Sequence, residues 1–198
     1  MKHCILAAAA IALAVGTFSA QADTLPGVRG INHIGLTVPD IAEAETFFSD
    51  VLGCEKATSF GPYRDDTGNF MKDLLDVDPR AVVNQITLMR CGFGSNIELF
   101  DYDAPDQKTV TPRNSDIGGR HIAFYVDDID AAAAYFKDKG IRTLMGPFPV
   151  NEGPAAGQSI IYFFAPWGLQ MEAISFPNGM AYEKDGGPVL WSNTEPAK

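Results

Sequence analysis

"HIGLTVPDIAEAETFFSDVLG" (residues 33–53) lies over "HIAFYVDDIDAAAAYFKDKG" (residues 121–140), with His33 on His121, Val38 on Val126, Asp40 on Asp128, Ile41 on Ile129 and Phe48 on Phe136. Each copy opens on alternating residues, Ile34, Leu36 and Val38 in the first, which is the period of a half-buried strand. Each then switches to helical spacing. Ile41, Ala44, Phe48 and Leu52 form one apolar stripe, and Ile129, Ala132 and Phe136 the other. Asp40 and Asp128 stand where N-caps belong, Glu43 completes a capping-box pattern, and Gly53 and Gly140 mark helix ends.

Working outward, each copy continues into three strand-like runs, at 54–60, 82–91 and 95–102 in the first and at 141–149, 158–165 and 169–176 in the second. The reading is an α+β chain of two βαβββ modules, 30–103 and 119–176, joined by a linker at 104–118. The first module carries an insertion, "GPYRDDTGNFMKDLLDVDPR" (61–80), in which "FMKDLLDV" has the makings of one short helix bordering the cavity that the sheet encloses. A turn-rich tail, 177–198, has Trp191 as its large anchor.

The last strands of the modules also match. "GSNIELF" (94–100) lies over "GLQMEAI" (168–174), placing Glu98 on Glu172. Alternation puts Asn96, Glu98, Phe100 and Tyr102 on one strand face, and Gln170, Glu172, Ile174 and Phe176 on the other module's equivalent. A glutamate between Ile97 and Leu99 is costly to bury without a partner. Beyond His3 in the leader, His33 and His121 are the only histidines, and they fall at matched positions. A divalent ion shared by His33, Glu98, His121 and Glu172 would partner all four.

Residues 1–22 have one lysine, an apolar run from Ile5 to Val15 and Ala20-Gln21-Ala22, the pattern of a secretory leader. That run is too short for a membrane span. The expectation is a periplasmic or secreted protein starting near Asp23, with 23–29 as an N-terminal arm. With 15 basic against 25 acidic residues and no basic cluster, nucleic acid is an unsuitable partner. Cys54 and Cys91 match no metal or redox spacing; a disulfide between them is allowed if they end neighbouring antiparallel strands.

The paired units and the order His33, Glu98, His121, Glu172 resemble the vicinal oxygen chelate superfamily of glyoxalase I, methylmalonyl-CoA epimerase, extradiol dioxygenases and antibiotic-resistance proteins, over residues 30 to 176. The resemblance implies a cup-shaped, eight-stranded mixed sheet with Ni, Co, Mn, Fe or Zn held on its concave face. It further implies proton transfer α to a metal-chelated carbonyl of a small substrate with vicinal oxygens, with Glu172 as the mobile base and Glu98 chiefly holding the ion. Asn96, Phe100, Tyr102, Tyr125, Tyr162 and Gln170 are the candidate pocket residues. Export and the missing basic cluster argue against a CoA substrate. An Fe(II) dioxygenase using His33, His121 and Glu172 is the alternative, although ring-cleaving relatives use a further histidine that this chain lacks. A metal-dependent binding protein that sequesters a metabolite is the third. Whether one chain or a homodimer builds the site stays open.

Overall fold

A computed structural model describes residues 25–197; the leader and the start of the arm lie outside them. Residues 25–30 belong to a unit separate from the rest and hold one turn, Val28 N–H donating to the Leu25 carbonyl at 3.4 Å. From Ile31 onward the chain is a single unit. Among the described residues no helix is long and apolar enough to cross a membrane.

The first module runs β1 (His33–Val38), α1 (Ile41–Thr46), β2 (Glu55–Phe60), α2 (Phe70–Leu75), β3 (Val82–Arg90) and β4 (Asn96–Asp103). The second runs β5 (Ile122–Tyr125), α3 (Ile129–Asp138), β6 (Phe148–Pro149), β7 (Ser159–Phe164) and β8 (Gln170–Ser175). Each forms a four-stranded mixed sheet, in the orders β1-β4-β3-β2 and β5-β8-β7-β6, with the first pair parallel and the others antiparallel. The eight expected strands are therefore divided four and four, and no ladder joins the sheets among the described residues. His121 stands immediately before β5 rather than within it.

Both helices start where the caps predict. Asp40 accepts from Glu43 N–H at 2.9 Å, and Asp128 accepts from Asp130 and Ala131 N–H at 2.9 Å each, satisfying donors that the first helical turn leaves free. The return half of the capping box, from the Glu43 side chain, does not form. The first copy of the repeat is one residue longer than the second. That extra residue is absorbed in a π-type turn, Phe47–Val51, where Leu52 N–H reaches back to the Phe47 carbonyl at 3.4 Å.

The run at 141–149 departs from expectation. Only Phe148 and Pro149 form a strand, with a lone bridge from Thr143 to Phe163. Pro147 and Pro149 have no N–H to donate, and Gly146 sits at φ 151°, so the ladder cannot extend.

One core serves both modules. Leu36, Val38, Phe48, Ile97 and Leu99 of the first belong to the same buried cluster as Phe136, Ile161, Phe163, Met171 and Ala173 of the second. Trp167 meets Phe47 edge-on at 5.6 Å, and the Tyr135 hydroxyl donates to the Asp50 carbonyl at 3.2 Å, so the layers that carry the helices touch across the boundary. Helix α1 is further tied to its sheet by Glu45. Its carboxylate accepts from Lys56 Nζ at 2.8 Å, Gln85 Nε2 at 2.9 Å and the fully buried Thr87 hydroxyl at 2.6 Å. Burial pushes that carboxyl up, but these donors and the Lys56 charge outweigh it and hold it below the usual range.

Cys54 and Cys91 lie just past the β2–β3 ladder and are disulfide-bonded, with Cα atoms 4.3 Å apart. The bridge closes a loop of sequence separation 37. Loop-closure entropy puts its contribution at about 4 kcal/mol. Chemical denaturation with and without reductant is expected to show a loss of that order; coincident curves would show that the bridge adds nothing.

Candidate functional site

Two constructions face solvent, one on each sheet, and they are built alike. On the first, His33 Nε2 lies 3.2 Å from Glu98 Oε2; on the second, His121 Nε2 lies 3.0 Å from Glu172 Oε2. Parallel pairing explains the match, because β1 runs beside β4 with Gly35 opposite Glu98, and β5 runs beside β8 with Ala123 opposite Glu172. The other ring nitrogen is held in each case by an asparagine. His33 Nδ1 meets Asn32 Oδ1 at 2.8 Å and His121 Nδ1 meets Asn114 Oδ1 at 3.2 Å. The asparagines engage Nδ1 in both pairs, so Nε2, on the glutamate side, is the ring nitrogen on hand for an ion.

The four side chains do not meet within one chain. Among the described residues no three His, Cys, Asp or Glu side chains are grouped closely enough to hold an ion. The shared core is the cause. Residues 34, 36, 38, 97 and 99 of one sheet and 161, 163, 171 and 173 of the other point into it, so the alternate residues that carry histidine and glutamate are turned away on both sheets. Each pair stays open to ligand: side-chain exposure is 45% for His33 and 16% for Glu98, and 35% for His121 and 8% for Glu172.

The pocket candidates divide between the two faces. Phe100 and Tyr102 stand beyond Glu98, their rings stacked at 5.4 Å. Burial, and then the Glu98 charge, push the Tyr102 hydroxyl up, so it stays a donor. On the second sheet Tyr162 is the register partner of Glu172, and its ring meets His121 edge-on at 5.3 Å. Its hydroxyl is pushed up by burial, by the Glu172 charge and by its hydrogen bond to Glu172. Tyr125 packs edge-on against Phe176 at 5.0 Å, and Gln170 pairs with Phe164. Asn96 is used differently from expectation: its Nδ2 donates to the Asn32 carbonyl at 3.1 Å, bracing β4 against the start of β1.

Sequence reasoning missed three residues here. Asn32 adjoins a candidate histidine and could have been noticed; Asn114, in the linker, has no local signal. Arg142, whose guanidinium lies 3.7 Å over the Phe164 ring, comes from the run read as a strand.

Comparison with known proteins bears on the family and the fold. The sequence profile of the glyoxalase/bleomycin resistance protein/dioxygenase superfamily matches residues 32–163. The chain belongs to that superfamily. A relative from Actinomyces sp., 2-epi-5-epi-valiolone epimerase, is 43% identical over 161 residues, covering 81% of this chain and 86% of its own. The protein YaeR of Escherichia coli K12 is 27% identical over 146 residues, 74% of this chain and 95% of its own. Among solved structures, a glyoxalase family protein from Bacillus cereus superposes with a TM-score of 0.58 at 17% identity, over 79% of this chain and 98% of that one, which supports the fold.

Proposed function

We propose that this protein is a divalent-metal-dependent isomerase of epimerase type, and that two copies of the chain build each site. The observation that carries the proposal is the repeated His–Glu pair, each half a ligand set, in a chain 43% identical to a protein named as an epimerase. The donor chemistry suits the ion. Two imidazole nitrogens and two carboxylates, with no thiolate, favour an open-sided Ni, Co, Mn, Fe or Zn centre over a closed structural zinc.

His33 and Glu98 of one copy and His121 and Glu172 of the other would hold it. β1 and β5 are both outer strands of their sheets, so each has one free edge. A cleft of about 560 Å³ lies between β5 and the first module of the same chain, lined by residues 121–125 on one side and by Ile34, Ile97 and the loop at 91–95 on the other. A two-fold arrangement that sets β1 of one copy beside β5 of the other uses both edges twice and gives two equal sites. An ion bound there polarises a carbonyl and offsets the negative charge that its oxygen gains when an adjacent proton leaves.

The chain's own residues do the rest. Glu172, the more enclosed carboxylate, takes the proton from the hydroxyl-bearing carbon, which flattens, and gives it back after that carbon has turned its opposite face to the carboxylate, which inverts it. Tyr162 stands opposite Glu172 in the β7–β8 ladder, where its hydroxyl can donate to that carboxylate and hold its orientation. The substrate is a small α-hydroxy carbonyl compound without a nucleotide, and the protein meets it outside the cytosol after export through the 1–22 leader. Proton transfer, rather than oxygen chemistry, is favoured because no third histidine is present beyond the leader.

The test is solvent deuterium exchange into an α-hydroxy ketone by the purified protein, with and without Mn²⁺. Exchange that requires the ion and consumes no oxygen is expected. Exchange unaffected by chelation, or stoichiometric oxygen uptake, overturns the proposal.

A further inference from the structure

The run at 142–144, ahead of β6, lies along β7. Phe164 N–H donates to the Arg142 carbonyl at 3.0 Å and Leu144 N–H to the Tyr162 carbonyl at 2.8 Å, with Thr143 bridged to Phe163 between them. This register sets Arg142 opposite Phe164 and Leu144 opposite Tyr162. β8 continues both rows, with Gln170 beside Phe164 and Glu172 beside Tyr162. Phe163 is fully buried in the core, so its neighbours Tyr162 and Phe164 turn to the other face, the one that carries His121 and Glu172. Two rows therefore cross the ligand face of the second sheet. One is Leu144, Tyr162 and Glu172; the other, two residues along the strand and about 7 Å away, is Arg142, Phe164 and Gln170.

Arg142 is used unlike other arginines of the chain. Arg64, Arg80 and Arg113 each take an aspartate, whereas the Arg142 guanidinium lies 3.7 Å over the Phe164 ring and makes no ion pair or side-chain hydrogen bond among the described residues. The ring covers one flat side of the guanidinium and leaves its N–H edge, whose fork matches the two oxygens of a carboxylate. Gln170 stands on the other side of the same ring with an amide. We infer that Arg142 and Gln170, braced by Phe164, form a carboxylate-binding subsite, so that the substrate is an α-hydroxy ketone carrying one carboxylate. Charge points the same way. The two positive charges of an ion are balanced by Glu98 and Glu172, which leaves the Arg142 charge for the ligand; one carboxylate cancels it, while a phosphate ester with nearly two negative charges overshoots. The gap of about 7 Å between the rows suits a substrate with two methylenes between carbonyl and carboxylate. This inference rests on the metal-dependent reading above.

The experiment uses the full chain loaded with Mn²⁺ and compares 5-hydroxy-4-oxopentanoate with its uncharged counterpart 1-hydroxybutan-2-one, and dihydroxyacetone phosphate with dihydroxyacetone. Paramagnetic relaxation of the probe protons gives each Kd, whether or not turnover follows, and deuterium exchange at the hydroxyl-bearing carbon is followed in parallel. Wild type is expected to bind the carboxylate probe about tenfold more tightly than the uncharged one. Arg142→Gln should abolish that preference while leaving the Kd of the uncharged probe and the metal content as they are. Phe164→Leu should weaken the preference, and Arg142→Lys, which keeps the charge without the fork, should retain only part of it. No preference in wild type, a preference that survives Arg142→Gln, a larger gain for the phosphate probe than for the carboxylate probe, or no binding of any probe overturns the inference. Saturation-transfer measurements repeat the comparison on the metal-free chain. An Arg142-dependent preference there, in a chain that takes up no Mn²⁺, leaves the subsite standing and overturns the metal-dependent reading; the same preference without exchange in the loaded chain overturns the proton-transfer reading instead.

Discussion

Neither a His33→Ala/Glu98→Ala chain nor a His121→Ala/Glu172→Ala chain is expected to turn over substrate, yet the two refolded together at equal amounts should recover about a quarter of wild-type activity. The arithmetic follows from the half-sites. Each doubly substituted chain alone has lost one half of every site it could form. In a mixed pair, one site receives both damaged halves and the other receives both intact ones. Random assortment makes about half of the pairs mixed, and half of their sites whole. Metal content should follow activity, since the intact site alone retains four ligands. Recovery is expected because the core shared by the two sheets turns His33/Glu98 and His121/Glu172 away from each other within one chain. No recovery, from mixtures shown to exchange subunits, would place the complete site within a chain or remove the metal assignment.

The two glutamates should then differ sharply. Glu172→Gln is expected to lower turnover by about a thousandfold while keeping appreciable metal, since an amide oxygen can still bind an ion weakly but cannot take a proton. Glu98→Gln should cost about tenfold, in line with a group that mainly holds the ion. The structure adds a reason for the asymmetry. Glu172 is the more enclosed of the two, with Tyr162 opposite it in the ladder, whereas Leu88, which cannot hydrogen-bond, stands opposite Glu98. Metal analysis and deuterium exchange on both variants decide the matter. Wild-type exchange in Glu172→Gln would end its assignment as the base, and oxygen uptake matched to turnover would install the dioxygenase alternative.

What the sequence determined by itself is local in origin. Strand faces follow from a two-residue period, the caps at Asp40 and Asp128 from bonds that span two or three residues, and the internal match of His33 with His121 and Glu98 with Glu172 from repetition of one unit. Strand pairing allows the Cys54–Cys91 bridge without requiring it. The short strand at Phe148–Pro149 shows where local reading overreached, since Pro147 and Pro149 deny the ladder its donors. Tertiary structure decided the rest, because it alone sets which faces are buried together. Asn114 reaches His121 from the linker, and Met71 reaches the face of Glu98 from an insertion. Most of all, whether two βαβββ units meet ligand face to ligand face, or through the faces that carry the helices, leaves the period of every strand unchanged. Alternation cannot distinguish them; the common burial of Phe48, Leu99, Phe163 and Met171 does, and it keeps the His33–Glu98 pair apart from the His121–Glu172 pair within one chain.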